Sequence, residues 1–318
     1  MGAAPLVRKD HMRLVEAWIE GLAREAKERA RPGELAFYGG TFTAMPRDRL
    51  ERILDGVMPW VNEGIFSGIR FSTRPDALTS ETCRFLARYP IQTVELGVQS
   101  LSDEVLTQSQ RGYSAESVVG AVRRIRKQGW SLGLQLMVGL PGDSRRRFLE
   151  SVEGVMDLGP DFVRIYPTLV LKDTLLARWL ETGRFRTLTL EEAVDWCAAA
   201  YDGFLSRNIP VVRMGLHPDR ELMRPGVILG GPFHPAFGYL VRVRWWRDRI
   251  DQWCLQQARS FQDMELVLRV PREVLSEVVG PSRDNISYWR KKWGWTGFRL
   301  APMEDWPVRR FEIFIVDE

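Results

Sequence analysis

Polar and backbone-exposing residues gather where the apolar stretches of this 318-residue chain stop. In Phe37-Tyr38-Gly39-Gly40-Thr41-Phe42-Thr43, two adjacent glycines that let a ligand come close to the backbone stand beside two hydroxyls. Ser72-Thr73-Arg74-Pro75-Asp76, Gly97-Val98-Gln99-Ser100, Gln110-Arg111-Gly112-Tyr113 and Gln135-Leu136-Met137-Val138-Gly139-Leu140-Pro141-Gly142-Asp143 follow in order. Taken singly, the glycine pair reads as plain turn chemistry, and Gln99 or Arg111 as a solvated loop residue. Their recurrence at one end of successive strands describes a pocket, because a parallel barrel works at the carboxyl ends of its strands.

The elements that position these groups are legible from period and punctuation. Met12, Leu14, Val15, Trp18, Ile19 and Leu22 recur at helical spacing from Asp10 to Ala30, and Arg31-Pro32-Gly33 stops the pattern. Strands are expected at Glu34 to Tyr38, Ile69 to Thr73, Val94 to Gln99, Leu132 to Val138 and Phe162 to Pro167. A helix runs from Pro46 to Met58, and others begin near Ser80, Ser102, Ser114 and Ser144. Units of this length wind by right-handed crossovers into a parallel sheet, open or closed. A helix from Leu190 to Leu205 carries a capping box, Thr189 with Glu192. Past Asn208-Ile209-Pro210 short apolar runs alternate with Trp and Arg, so an α/β region at 1–207 and a smaller α+β extension at 208–318 are expected.

Composition bounds the partners. An apolar fraction of 45% supports a sizeable core, and a net charge of +4 permits nucleic acid or phosphate partners without requiring them. No signal peptide or membrane span is visible, and the expected location is the cytoplasm. Cys83, Cys197 and Cys254 are far apart and read as small core hydrophobes. His217-Pro218 and His234-Pro235 read as loop residues, so no metal ligand is assigned.

The ordered set GGTFT, STRPD, GVQS, QRGY, VGLPGD and IYPTLVLKDT, spanning 34–190, resembles the radical S-adenosylmethionine (SAM) core of bacterial Elongator catalytic-subunit-like proteins. More distantly it resembles that of oxygen-independent coproporphyrinogen III oxidase. The resemblance implies a partial parallel (β/α) barrel and an enzyme that cleaves SAM reductively with a 4Fe-4S cluster fed by an electron donor. Its substrate is unidentified, with RNA as one candidate. Residue by residue, Gly39, Gly40 and Thr41 would hold the methionine amino group, Gln99 the ribose and Arg111 the carboxylate, which a guanidinium can grip bidentately. Gln135 stands where the oxidases carry a ribose-binding aspartate, and Ser72 where they carry a glutamate. Gly139-Leu140-Pro141 would lie against the adenine, with Tyr166 near the same pocket.

Such a cluster needs a Cys-x-x-x-Cys-x-x-Cys loop after the first barrel strand, and this sequence has none. Met1-Gly2-Ala3-Ala4-Pro5 is similar to the stretch just past that loop. The expectation is a core missing its first strand, with an unpaired edge at Glu34 to Tyr38 and poor solubility. The alternative is a cluster-free scaffold that binds nucleic acid or protein without catalysis. Val278-Val279-Gly280-Pro281-Ser282-Arg283-Asp284-Asn285-Ile286 resembles the glycine loop of RNA-binding KH modules, with Arg283 in place of the second glycine. Trp245, Trp246, Trp289, Trp293 and Trp295 interleave with Arg242, Arg244, Arg247, Arg290, Lys291 and Lys292, which reads either as a stacking surface for bases or as a tryptophan-rich core. No acetyl-CoA loop is visible, so acetyl transfer is not expected.

Overall fold

The computed structural model describes residues 9–28, 31–257, 260–262, 264–295 and 297–316. The stretch Met1 to Pro5, and Arg29 and Ala30 of the expected first helix, lie outside the described residues. The chain divides into two compact units, Met1–Arg164 and Ile165–Glu318.

The first unit alternates strand and helix: α1 (Lys9–Ala26), β1 (Gly33–Phe37), α2 (Arg47–Asn62), β2 (Phe66–Thr73), α3 (Ser80–Leu86), β3 (Ile91–Gln99), α4 (Asp103–Gln108), α5 (Ala115–Lys127), β4 (Ser131–Val138) and α6 (Arg145–Asp157). The division falls inside β5 (Phe162–Pro167). Ser102, Ser114 and Ser144 each accept an amide hydrogen bond as helix caps, and at α3 the cap is Thr79, one residue before the expected Ser80. β1 to β4 pair in parallel, in chain order. Within the first unit the order is β1-β2-β3-β4, and β1 has β2 as its strand partner among the described residues.

Period-2 alternation gives this sheet two unlike faces. Leu35, Ile69, Phe71, Val94, Leu96, Leu132 and Leu134 are buried and apolar, as are Leu54, Val118, Ile125 and Phe148 on the crossover helices. The opposite face carries Tyr38, Arg70, Ser72, Glu95, Gly97, Gln99, Gln135, Met137 and Arg164, as a partial barrel's interior does. Gly133 makes room there. A Cβ at that position would meet the Phe162 ring at 2.3 Å, and the Arg70 guanidinium lies 4.6 Å from the centre of the same ring.

The second unit contains the end of β5, β6 (Val170–Leu171), α7 (Leu175–Glu181), α8 (Leu190–Ser206), β7 (Val211–Met214), β8 (Ile228–Gly230) and α9 (Phe237–Gln256). The Thr189–Glu192 capping box forms as expected. There follow β9 (Glu265–Pro271), α10 (Leu275–Val279), α11 (Asp284–Trp293), β10 (Gly297–Met303) and β11 (Glu312–Val316). These strands make a sheet of order β10-β9-β11, with β10 parallel and β11 antiparallel to β9.

The Trp and Arg interleaving resolves largely as core. Trp245, Trp246, Trp289 and Trp295 are all buried. The Trp245 indole donates to Asp202 at 2.8 Å, and Arg244 pairs with Asp195 and Asp248. Asp251 accepts from Tyr288, Lys292 and Trp293, so Lys292 is held in a polar knot. Among the described residues, no helix is long and apolar enough to cross a membrane.

Candidate functional site

The carboxyl ends of β1 to β4 bring most of the expected residues to one rim of the first unit. At β1, Gly39 and Gly40 have φ values of 101° and 159°, and a Cβ built on either meets nothing within 4 Å. The backbone there is open to a ligand. Thr41 begins the short 3-10 turn Phe42–Ala44 without a side-chain capping bond. Beneath it Phe37, Phe42 and Phe71 stack at 5.0 and 4.9 Å, and the Thr43 and Thr73 hydroxyls meet at 2.6 Å, which fixes the turn against β2.

At β3 the chain bulges between Gly97 and Gln99 in its pairing with β4, and Gln99 takes a φ of 64°. A left-handed conformation costs a residue with a side chain roughly 1 kcal/mol, a strain found where a loop is shaped for a ligand. Tyr113 braces the turn by donating from its hydroxyl to the Gly97 carbonyl at 2.8 Å. The next loop has the same character, since Gln110 and Gly112 on either side of Arg111 both have positive φ. The Arg74 guanidinium is shared between Asp76 and the Arg111 carbonyl, at 2.9 and 2.7 Å, and so holds the Arg111 backbone in place.

The Arg111 side chain itself lacks a counter-charge. Its Nη2 points at the Met137 sulfur at 3.0 Å, its Nε is buried without a hydrogen-bond partner, and no carboxylate pairs with it among the described residues. Burial, with Arg74 nearby, lowers its pKa from the ordinary value. An unpaired buried cation is costly and points to an anionic group as its partner. Met137 lies two residues beyond Gln135 on the same face, so Arg111 and Gln135 occupy one end of β4.

Deeper on that face lies a cluster that sequence reasoning missed. Glu95 is fully buried and accepts from the Tyr38 hydroxyl at 2.7 Å, Arg70 Nε at 2.7 Å and Gln135 Nε2 at 2.9 Å. Arg164 pairs with it at 2.7 Å, and Glu34 flanks Arg70 at 3.3 Å. Burial alone would raise the Glu95 pKa. Hydrogen bonds from Tyr38 and Gln135 and the charges of Arg164 and Arg70 outweigh that and hold it below the usual range. Burial and the neighbouring carboxylate push the Tyr38 phenol up to about 12. Gln135 has thus committed an N–H to Glu95, leaving its carbonyl oxygen for a ligand hydroxyl. Ser72 sits opposite Glu95 in the β2–β3 register, and Tyr166 belongs to the second unit, on β5. The one signal for this cluster was a lone acid inside the apolar run Val94 to Val98.

The Gly139-Leu140-Pro141-Gly142 turn is closed by Asp143, which accepts from the Gly139 and Ser144 amides at 3.2 and 2.9 Å. Burial raises its pKa from 3.8 to about 6 despite these bonds. The folded-state value lies above the unfolded one, so this group's stabilising contribution is complete below pH 4 and is lost as pH rises through 6. The shift converts to roughly 3 kcal/mol at full desolvation, and less for this half-buried group. Asp143→Asn should therefore gain on the wild type by about 1–3 kcal/mol between pH 4 and 7. Urea unfolding of both proteins across that range reads the difference, and a constant gap would refute it.

The thiols do not suit a cluster. Cys83, Cys197 and Cys254 are buried and burial raises each pKa, to about 12 for Cys254. Among the described residues no three His, Cys, Asp or Glu side chains converge to hold a metal ion.

The sequence model of the Radical SAM superfamily matches residues 7–155, and that of the Radical_SAM C-terminal domain matches residues 160–247. An uncharacterized protein of Methanocaldococcus jannaschii is 33% identical over 48% of this chain and 48% of its own length. A tRNA uridine(34) acetyltransferase of Methanocaldococcus infernus is 32% identical over 39% of this chain and 24% of its own. The chain therefore spans about half or less of these relatives. In structure it is similar to the Methanocaldococcus infernus Elp3 with an N-terminal deletion, at a TM-score of 0.60 and 25% identity, covering 76% of this chain and 58% of that one.

Proposed function

The chain belongs to the radical SAM superfamily, and from that premise we propose that its first unit binds SAM across the strand ends and serves reductive SAM chemistry on an RNA substrate. The observation that carries the reading is Arg111, whose backbone carbonyl is held by Arg74 and whose guanidinium has no carboxylate partner among the described residues. In this reading it takes the methionine carboxylate of SAM, while the open Gly39-Gly40 backbone and the Thr41 hydroxyl take the amino group. Gln99 and the free oxygen of Gln135 take the ribose hydroxyls, beside Ser72. The turn at Gly139 lies against the adenine. Held there, SAM would supply hydrogen-atom abstraction, given an electron from a donor that the three buried thiols of this chain do not provide. The contribution of the chain is to orient the cofactor, with Glu95 fixing Gln135 and Tyr38 from below. RNA enters the proposal through the tRNA-directed name of a relative.

The residues present fit SAM and do not fit a 4Fe-4S cluster, since the sequence has no cysteine triplet and its three thiols are buried. That mismatch favours one second reading, a SAM-binding scaffold on which this polypeptide performs no radical step. Equilibrium dialysis with labelled SAM tests what the two readings share. Saturable binding at one site, competed by S-adenosylhomocysteine, is expected, and no binding at millimolar SAM would sink both. Anaerobic treatment with iron and sulfide, followed by SAM and dithionite as the electron donor, then separates them. A chain that gains cluster absorbance and releases 5'-deoxyadenosine supports the enzyme reading, and one that gains neither supports the scaffold.

A further inference from the structure

We infer that the second unit carries a separate binding site for single-stranded RNA, in the groove beside the Gly280-Pro281-Ser282-Arg283 loop. It bears on the RNA part of the proposed function and is independent of SAM binding. Three observations converge on it. First, β9, α10, the loop, α11 and β10 follow one another, with β9 and β10 parallel and hydrogen-bonded. This is a strand-helix-loop-helix-strand unit whose interhelical loop stands where a KH module clamps the nucleic-acid backbone.

Second, the loop has the required backbone although the sequence lacks the second glycine. Gly280 has a φ of 75° and sits so close to Val243 that a Cβ would come within 3.2 Å. Arg283, in the second glycine's place, also adopts a left-handed conformation, at a φ of 65°, and Ser282 between them has a φ of 49°. Pro281, Ser282 and Arg283 are all exposed. The loop is anchored from below by Asn285, which is fully buried, donates to the Val243 and Val278 carbonyls at 3.0 Å, and accepts from Arg247 at 2.8 Å. The anchor is rigid and the tip is bare.

Third, a mainly apolar groove of about 470 Å³ opens from the same glycine, lined by Tyr239, Leu275, Val279, Gly280, Leu300 and Pro302. That volume is within the range of small-molecule sites and admits a nucleobase. Tyr239 spends its hydroxyl hydrogen on the Ser276 carbonyl at 2.9 Å, which fixes a ring at the groove wall.

Charge selects the occupant. Arg283, Arg290 and Lys291 are exposed and make no ion pair among the described residues, Arg283 at the loop's end and the other two in the last turn of α11. Asp284 is the acid beside the loop, whereas Glu277 is paired with Arg242 and Asp251 with Lys292. A groove fit for flat apolar rings that opens at Gly280, three residues before the exposed and unpaired Arg283, suits unpaired nucleotides, with bases in the groove and phosphates at the loop and onward to Arg290 and Lys291 of α11.

The test uses the full chain without SAM, so its failure says nothing about cofactor binding. Fluorescence anisotropy of a labelled ten-nucleotide single-stranded RNA is read at 50 and 200 mM KCl. Three phosphate contacts predict a salt slope near −2, or roughly 20-fold weaker binding across that range. Pro281→Asp with Ser282→Asp, both exposed and with aspartate tolerant of positive φ, should weaken binding at least tenfold at an unchanged melting temperature. Arg290→Glu with Lys291→Glu should flatten the salt slope. No binding by the wild type, equal binding by the aspartate pair, or a preference for duplex RNA would each overturn the inference. Equal binding of the matching DNA would overturn its assignment to RNA.

Discussion

Glu95→Gln is expected to destabilise the first unit by about 3–5 kcal/mol, the usual cost of removing one partner from a buried ion cluster. The carboxylate is fully buried, whereas the side chains of Arg70 and Arg164 are only 21% and 18% exposed, so neither guanidinium can turn to water for a replacement. Neutralising Glu95 leaves two cations facing one another across the sheet, with Glu34 offset toward Arg70. Thermal melting should fall by roughly 10 °C, and in urea the midpoint should drop without a change in slope. A loss below 1 kcal/mol would mean that water reaches the cluster. Replacing Glu95, Arg70 and Arg164 together by apolar residues of similar size should recover much of the loss, because the desolvation cost of all three charges disappears with them. The pH dependence follows from the lowered pKa of Glu95. Its stabilisation is complete above the unfolded-state value near 4.3 and is lost as pH falls through the lower folded-state value. Acid sensitivity from Glu95 and alkaline sensitivity from Asp143 therefore have opposite signs in the same unit.

The same residues show how far the sequence could be read. β5 lies where its apolar run places it, and the cap residues mark their helices, because both signals are local and depend on a few neighbours. The Glu95 cluster is not local. Its partners lie 25, 40, 57 and 69 positions away, and only the parallel register brings them onto one face. An arginine inside a strand reads as solvent-facing until a partial barrel gives that face an interior. The tryptophans of α9 and α11 failed as an interface signal for a related reason. α9 has no distinct apolar stripe and is buried along much of its length, so Arg242 and Arg244 are partners of Glu277, Asp195 and Asp248 and Arg247 of Asn285 rather than a free basic surface. The loop after α10 is legible only in part, because its positive φ at Gly280 coincides with a glycine and that at Arg283 does not.

Arg111→Met should weaken SAM binding by 10- to 100-fold while leaving stability unchanged or higher. A hydrogen-bonded pair between a guanidinium and the carboxylate of a ligand contributes about 1.5–3 kcal/mol, which sets the loss of affinity. The gain in stability has a separate cause. In the free protein the Arg111 charge is desolvated, lies near Arg74 and has a thioether as its neighbour, and burial lowers its pKa. Methionine fills similar space beside Met137 without a buried charge. The Arg111 carbonyl, which Arg74 grips, is unaffected by the substitution. Calorimetric titration with SAM and thermal melting with and without it read both effects. SAM at 100 times its Kd should stabilise the wild type by about 2.7 kcal/mol and the variant by far less. A variant that loses stability and keeps its affinity would make Arg111 a structural residue and remove the observation on which the SAM site rests. A variant that loses affinity and gains stability would show that the free protein keeps Arg111 at a cost, as binding residues are kept when selection acts on the ligand rather than on the fold.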